Sequence, residues 1–134
     1  MKYWNRSDSG VTRMDVRKLF RSFRYAWNGI AHVAAAEQNF RIHIMAALSV
    51  SGAGWITGLS TAEWIVLIIL FGGMLALELM NTAIERVVDL VSSEHHPLAG
   101  QAKDAAAGAV LIFAAASILI GCMIFIPKWI NLLF

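Results

Sequence analysis

Glu78, Asn81, Thr82, Glu85 and Asp89 fall at i, i+3, i+4, i+7 and i+11 within the stretch Leu77 to Leu90. At about 100° per helical residue, all five lie within roughly 60° of one line along a helix. Leu79, Met80, Ala83, Ile84, Val87 and Val88 cover the remaining surface, with Arg86 the exception. A stripe of carboxylates on an otherwise apolar helix can accept protons or share a divalent cation. Mg²⁺ suits such oxygens, since it takes one or two carboxylates and completes its shell with phosphate oxygens and water. Asn81 and Thr82 by themselves would equally well tie helices together through hydrogen bonds. Two glutamates and an aspartate make poor glue, because each charge taken out of water needs a partner.

Other residues could join this face. Glu37 stands just ahead of the first apolar run. Lys103, beside Asp104, offers the kind of cation that spreads charge during phosphoryl transfer. Glu94, His95 and His96 form a polar cluster; adjacent histidines on one loop are a weak zinc signal, so polarity or nucleotide contact is the expected role. No GxxxxGK[ST] and no GxGxxG occurs, which removes the P-loop and protein-kinase arrangements. Cys122 is the only cysteine and lies in an apolar run, where a buried inert thiol is expected.

The elements that must position these groups belong to a membrane protein. The chain has 134 residues, 58% hydrophobic and only 15% charged, whereas soluble domains run near a quarter charged. Residues 42–59, 62–81 and 105–126 are long apolar segments. A bilayer core of roughly 30 Å needs about 20 helical residues, and unpaired backbone is not tolerated in lipid. The expectation is an all-α membrane protein with three transmembrane helices in one domain spanning residues 1–134. Gly52, Gly54, Gly72, Gly73, Gly108 and Gly121 are expected to let helices pack closely. Residues 92–104, punctuated by Pro97 and Gly100, read as a polar loop.

Ahead of the first span, over about residues 14–36, Val16, Leu19, Phe20, Phe23, Trp27 and Ile30 recur at spacings of three and four. Arg17, Arg21, Arg24 and Asn28 fall on another face. This is the pattern of an amphipathic helix lying in the membrane interface. Basic residues Arg13, Arg17, Lys18, Arg21, Arg24 and Arg41 precede the first span, Arg86 and Lys103 flank the second connection, and residues 58–63 have none. The positive-inside rule puts the N-terminus in the cytoplasm and the C-terminus outside, with Lys128 dissenting. The basic arm suits an anionic membrane surface rather than a nucleic acid. Counting from Ala62, Glu78 lies about 24 Å deep at helical rise, so Glu85 reaches the cytoplasmic boundary. A lipid hydroxyl and a cytoplasmic nucleotide could meet there, whereas a transporter would place its acid nearer the midplane.

The run Glu78-Leu79-Met80-Asn81-Thr82-Ala83-Ile84-Glu85-Arg86-Val87-Val88-Asp89 resembles the signature of the prokaryotic diacylglycerol kinase and undecaprenol kinase family. The resemblance extends upstream through Glu37-Gln38-Asn39-Phe40-Arg41 and downstream through Glu94-His95-His96-Pro97-Leu98-Ala99 and Ala102-Lys103-Asp104. It covers roughly residues 20–127 and needs no gaps across the motifs.

That resemblance implies a homotrimer of three-span subunits in the bacterial cytoplasmic (inner) membrane. It also implies active sites formed between subunits and Mg²⁺-ATP as phosphoryl donor to a lipid alcohol. By motif, Glu78 matches the catalytic base and Asn81 its neighbour at the acceptor hydroxyl. Glu37 and Glu85 match the metal carboxylates. Glu94, His96, Lys103 and Asp104 match nucleotide contacts, as do Lys18 and Tyr25 on the surface helix. Arg86 departs from the small residue usual in the signature and His95 from a common tyrosine; neither is expected to touch the carboxylates. Residues 39–43 and 96–99 look more like the undecaprenol kinase branch, with diacylglycerol the close second acceptor. Two readings from other classes stand beside this one: a small oligomeric transporter using Glu78 as a proton site, and a structural membrane subunit indifferent to its carboxylates.

Overall fold

The computed structural model describes residues 16–92 and 96–133, and every described element is helical. Arg13, Met14, Asp15, Glu94 and His95 lie outside the described residues. Four helices follow one another: α1 (Val16–Ala36), α2 (Gln38–Thr57), α3 (Thr61–Val91) and α4 (Pro97–Leu133). The chain divides into two compact units, one ending at His32 and the other beginning at Val33.

In the first unit, the apolar residues of α1 that share a face are exposed: Phe20, Phe23 and Trp27 are 70%, 66% and 70% open. On the basic side, Arg21 Nε donates to the Arg17 carbonyl and the Arg24 guanidinium lies 5.7 Å from the Tyr25 ring centre. This is the two-faced helix that the sequence leads one to expect.

The second unit begins with the last turn of α1. Glu37, in extended backbone at φ −97° and ψ 123°, interrupts the helix, and α2 starts at Gln38. The orphaned carbonyls at the end of α1 are closed by Arg41, whose Nη1 donates to Ala35 O at 2.8 Å and Ala34 O at 3.3 Å. Thus α2 begins four residues before the apolar segment that suggested it, and ends at Gly58. Gly58 adopts φ +67°, the left-handed conformation that glycine takes without a Cβ penalty. Ser60 then opens α3 with a reciprocal capping box to Glu63. Lys128 from α4 donates to Glu63 Oε2 at 3.1 Å and to the Gly58 carbonyl at 3.2 Å. The lysine that dissented from the charge rule therefore ties this turn to α4.

Leu67 and Leu70 of α3 and Phe125 of α4 form the buried core, with Val50 of α2, Trp64 and Phe113 packed against them. Gly73 permits the closest approach: a Cβ there would lie 2.6 Å from Phe113 Cζ. Gly54 similarly admits Leu59 and Trp64. The other four glycines expected to serve packing, Gly52, Gly72, Gly108 and Gly121, have nothing within 4 Å of a built Cβ, so they do not serve it within this chain. Cys122 is exposed on α4, not buried as its apolar neighbourhood suggested. Such a run shows only that the helix is apolar, and α4 is packed on one side alone.

The polar segment ahead of the last span is not a loop through residue 104. α4 starts at Pro97, where a missing N–H costs nothing and φ is already set for a helix. His96 supplies the acceptors for its first turn: Nδ1 accepts from Leu98 N at 3.3 Å, and the carbonyl from Ala99 N at 3.0 Å. α3 and α4 are both long and apolar enough to cross a membrane. Their open faces carry Ile68, Ile69, Leu111, Ile112, Leu119 and Met123, each more than half exposed. An apolar surface of that extent is stable against lipid or another chain rather than water.

Candidate functional site

α3 runs without a break through the whole signature, so the five polar residues do share one face of one helix. Their environment is graded. Glu78 and Thr82 are each 3% exposed and Asn81 is 9% exposed; Glu85 is half-buried and Asp89 open. The stripe thus leads from the interior of the packed helices to their surface.

Asn81 links its two ends. Its Nδ2 donates to Glu85 Oε1 at 3.0 Å, which fixes the amide plane. The other end of the amide, Oδ1, is buried and has no hydrogen-bond partner among the described residues. Leaving a buried acceptor open costs about 1–3 kcal/mol, and such a group in a folded protein calls for an explanation. This unsatisfied acceptor lies one helical turn from Glu78 on the same face of α3. Close by, Met74 and Leu75 line a cavity of about 420 Å³, whose walls from α2, α3 and α4 include Phe71, Ile118, Phe125 and Trp129. Among the lining residues, only His43, Ser117, Cys122 and Trp129 have side chains with a hydrogen-bonding N–H, O–H, S–H or ring nitrogen.

The second carboxylate pair comes from different helices. Glu37 sits at the N-cap position of α2 but makes no side-chain cap bond there. Its carboxylate turns instead to α3, where Arg86 Nη2 donates to Oε1 at 3.2 Å. The expectation that Arg86 leaves the carboxylates untouched is therefore wrong. An arginine directly after Glu85 is long enough to span the gap between α3 and the α1–α2 break. The same contact places Glu37 and Glu85 on neighbouring segments.

Among the described residues, no three His, Cys, Asp or Glu side chains gather into a self-sufficient metal site. Glu37 and Glu85 each engage one oxygen with a protein donor, and the second oxygen of each is uncommitted among the described residues. Two such oxygens fit Mg²⁺, which draws its remaining ligands from phosphate and water.

Lys103 and Asp89 form an ion pair that ties the start of α4 to the end of α3. Sequence periodicity put Asp89 on the stripe and Lys103 near the nucleotide, but gave no sign of their pairing. Asp104 and His96 are exposed at the same end of α4. His96 uses Nδ1 in starting that helix. Lys18 and Tyr25 belong to the first unit, two turns apart on one face of α1. Glu94 is outside the described residues.

With this geometry in view, similarity to known proteins becomes specific. Residues 24–125 match the family model described as prokaryotic diacylglycerol kinase. An undecaprenol kinase from Bacillus subtilis is 50% identical over 121 residues, covering 90% of this chain and 98% of that protein. A diacylglycerol kinase from Synechocystis is 41% identical, over 86% of this chain and 66% of its own length. The diacylglycerol kinase of Escherichia coli K12 is 32% identical, over 80% of this chain and 88% of its own length. The matched span contains the entire polar stripe, Glu37 and the start of α4. This chain belongs to the prokaryotic diacylglycerol kinase family and is a membrane lipid kinase.

Proposed function

We propose that the protein transfers the γ-phosphate of Mg²⁺-bound ATP to the hydroxyl of a membrane lipid, with undecaprenol favoured over diacylglycerol. The observation that carries this reading is Glu78, a carboxylate 3% exposed on a membrane-length helix, one turn from the open amide oxygen of Asn81. A hydroxyl is a poor nucleophile. Asn81 Oδ1 can hold its proton as it arrives, and the more basic Glu78 can take that proton as the oxygen–phosphorus bond forms. Burial keeps bulk water from competing as acceptor. The apolar cavity beginning at Met74 and Leu75 is suited to the hydrocarbon part of the substrate.

Glu85 and Glu37 are assigned to Mg²⁺; the chemistry it supplies when bound is neutralisation of the β- and γ-phosphate charge. Lys18, Tyr25, Glu94, His96, Lys103 and Asp104 are assigned to the nucleotide. Three spans assembled as a homotrimer, with α1 along the cytoplasmic face of the bacterial inner membrane, belong to the same proposal; the open apolar faces of α3 and α4 are surfaces that lipid or a second copy of the chain would cover.

The preference for undecaprenol rests on the stretches at residues 39–43 and 96–99 and on the 50% identity to the Bacillus subtilis undecaprenol kinase. Assayed in one detergent, undecaprenol is expected to give the higher kcat/KM of the two lipids. The reverse order would assign diacylglycerol and leave the chemistry intact. Orientation is tested separately. A tag at Met1 should be accessible only from the cytoplasm and one at Phe134 only from outside; both ends on one side would remove the three-span arrangement.

A further inference from the structure

We infer that Arg86 is a built-in counter-ion of Glu37, holding the carboxylate in place before metal arrives and competing with the metal for it. The inference rests on the assignment of Glu37 to Mg²⁺. Glu37 lies in extended backbone between two helices and makes no cap bond, so nothing in its own turn fixes the side chain. Its fixed partner is Arg86, 49 residues away in sequence, with Nη2 at 3.2 Å from Oε1. A carboxylate at such a break, without a cation, would be free to turn into water. The guanidinium presents it toward the segment that carries Glu85.

The same contact has a cost for metal binding. A guanidinium on one oxygen of a carboxylate and a divalent cation on the other repel at short range. Arg86 is 43% exposed and Glu37 34% exposed on their side chains, so the pair is weak enough to open. Arg41, the other arginine at the break, is committed to the carbonyls of Ala34 and Ala35 and offers no substitute. Arg86 therefore sets a threshold: metal at the second oxygen of Glu37 is opposed by the guanidinium held at Oε1, an opposition that phosphate oxygens arriving with the metal offset and that metal alone does not. Arg86 is in this sense a positioning residue, acting on the reaction through Glu37.

The test is binding of Mn²⁺ alone, without nucleotide, to full-length protein in detergent, read by the electron paramagnetic resonance signal of free Mn²⁺. Arg86→Gln and Arg86→Ala are expected to bind Mn²⁺ about three- to tenfold more tightly than the unaltered protein, from the loss of one exposed ion pair and one nearby positive charge. Glu37→Gln should abolish most of the binding. A Glu37-dependent site that both Arg86 variants leave unchanged or weaken would overturn the role given to Arg86. Mn²⁺ binding that Glu37→Gln does not alter would overturn the metal assignment itself, and this inference with it.

Discussion

Glu78→Gln is expected to lower kcat by at least about a hundredfold, the lower end of what a positioned general base contributes. The substitution preserves shape and hydrogen-bonding capacity but removes basicity. Because Glu78 is buried on the packed face of α3, a neutral isostere there disturbs neither helix packing nor the open faces. Affinity for Mg²⁺-ATP should stay near normal, since Glu85 and Glu37 are untouched, and the oligomer should elute unchanged in size-exclusion chromatography. A residual rate should survive, because phosphoryl transfer depends mainly on positioning and charge stabilisation. Retention of most of kcat would make Glu78 a polar packing residue and place the base elsewhere. It would also revive the reading of the stripe as helix-tying polarity.

Glu85→Gln should act on the other substrate. Its carboxylate accepts from the Asn81 amide through Oε1, and its second oxygen is uncommitted among the described residues. The glutamine can keep a hydrogen bond to Asn81 through its amide oxygen, while the charge that draws the cation is lost. Supporting groups around metal sites commonly change affinity by 10–100-fold, so loss of a direct carboxylate should raise the Mg²⁺ concentration needed for half-maximal activity by at least about tenfold. Glu37→Gln should do the same, though it comes from a different helix. Normal activity of both variants at limiting Mg²⁺ would dismiss the shared site. The contrast between the two experiments is informative: Glu78→Gln should change kcat with little effect on the metal, and Glu85→Gln should change the metal requirement first.

The identity of the stripe was legible from spacing alone, because periodicity specifies which residues share a helix face. α3 confirms it over its whole length. The two-faced character of α1 was legible for the same reason. What spacing does not specify is the partner of a face. Arg86 and Glu37 are 49 residues apart, and Lys103 and Asp89 are 14 apart; both ion pairs arise only when helices are packed. Lys128 looked like an exception to a charge rule until its contacts with Glu63 and Gly58 were visible. Pro97 and Gly100 read as loop residues because both interrupt helices when they stand inside them. At the first position of α4, Pro97 starts one instead. Composition also misplaced Cys122, since an apolar stretch is buried in a soluble core but outward-facing on a helix packed on one side only.

The central claim is that the terminal phosphate of ATP ends on a lipid hydroxyl. The most direct measurement supplies γ-labelled ATP and Mg²⁺ to the purified protein with undecaprenol or diacylglycerol, and follows label into the organic phase alongside ADP. The account predicts labelled lipid phosphate formed one for one with ADP, and almost none with Glu78→Gln. Label appearing only as inorganic phosphate, or no ATP consumption with either lipid, would contradict it.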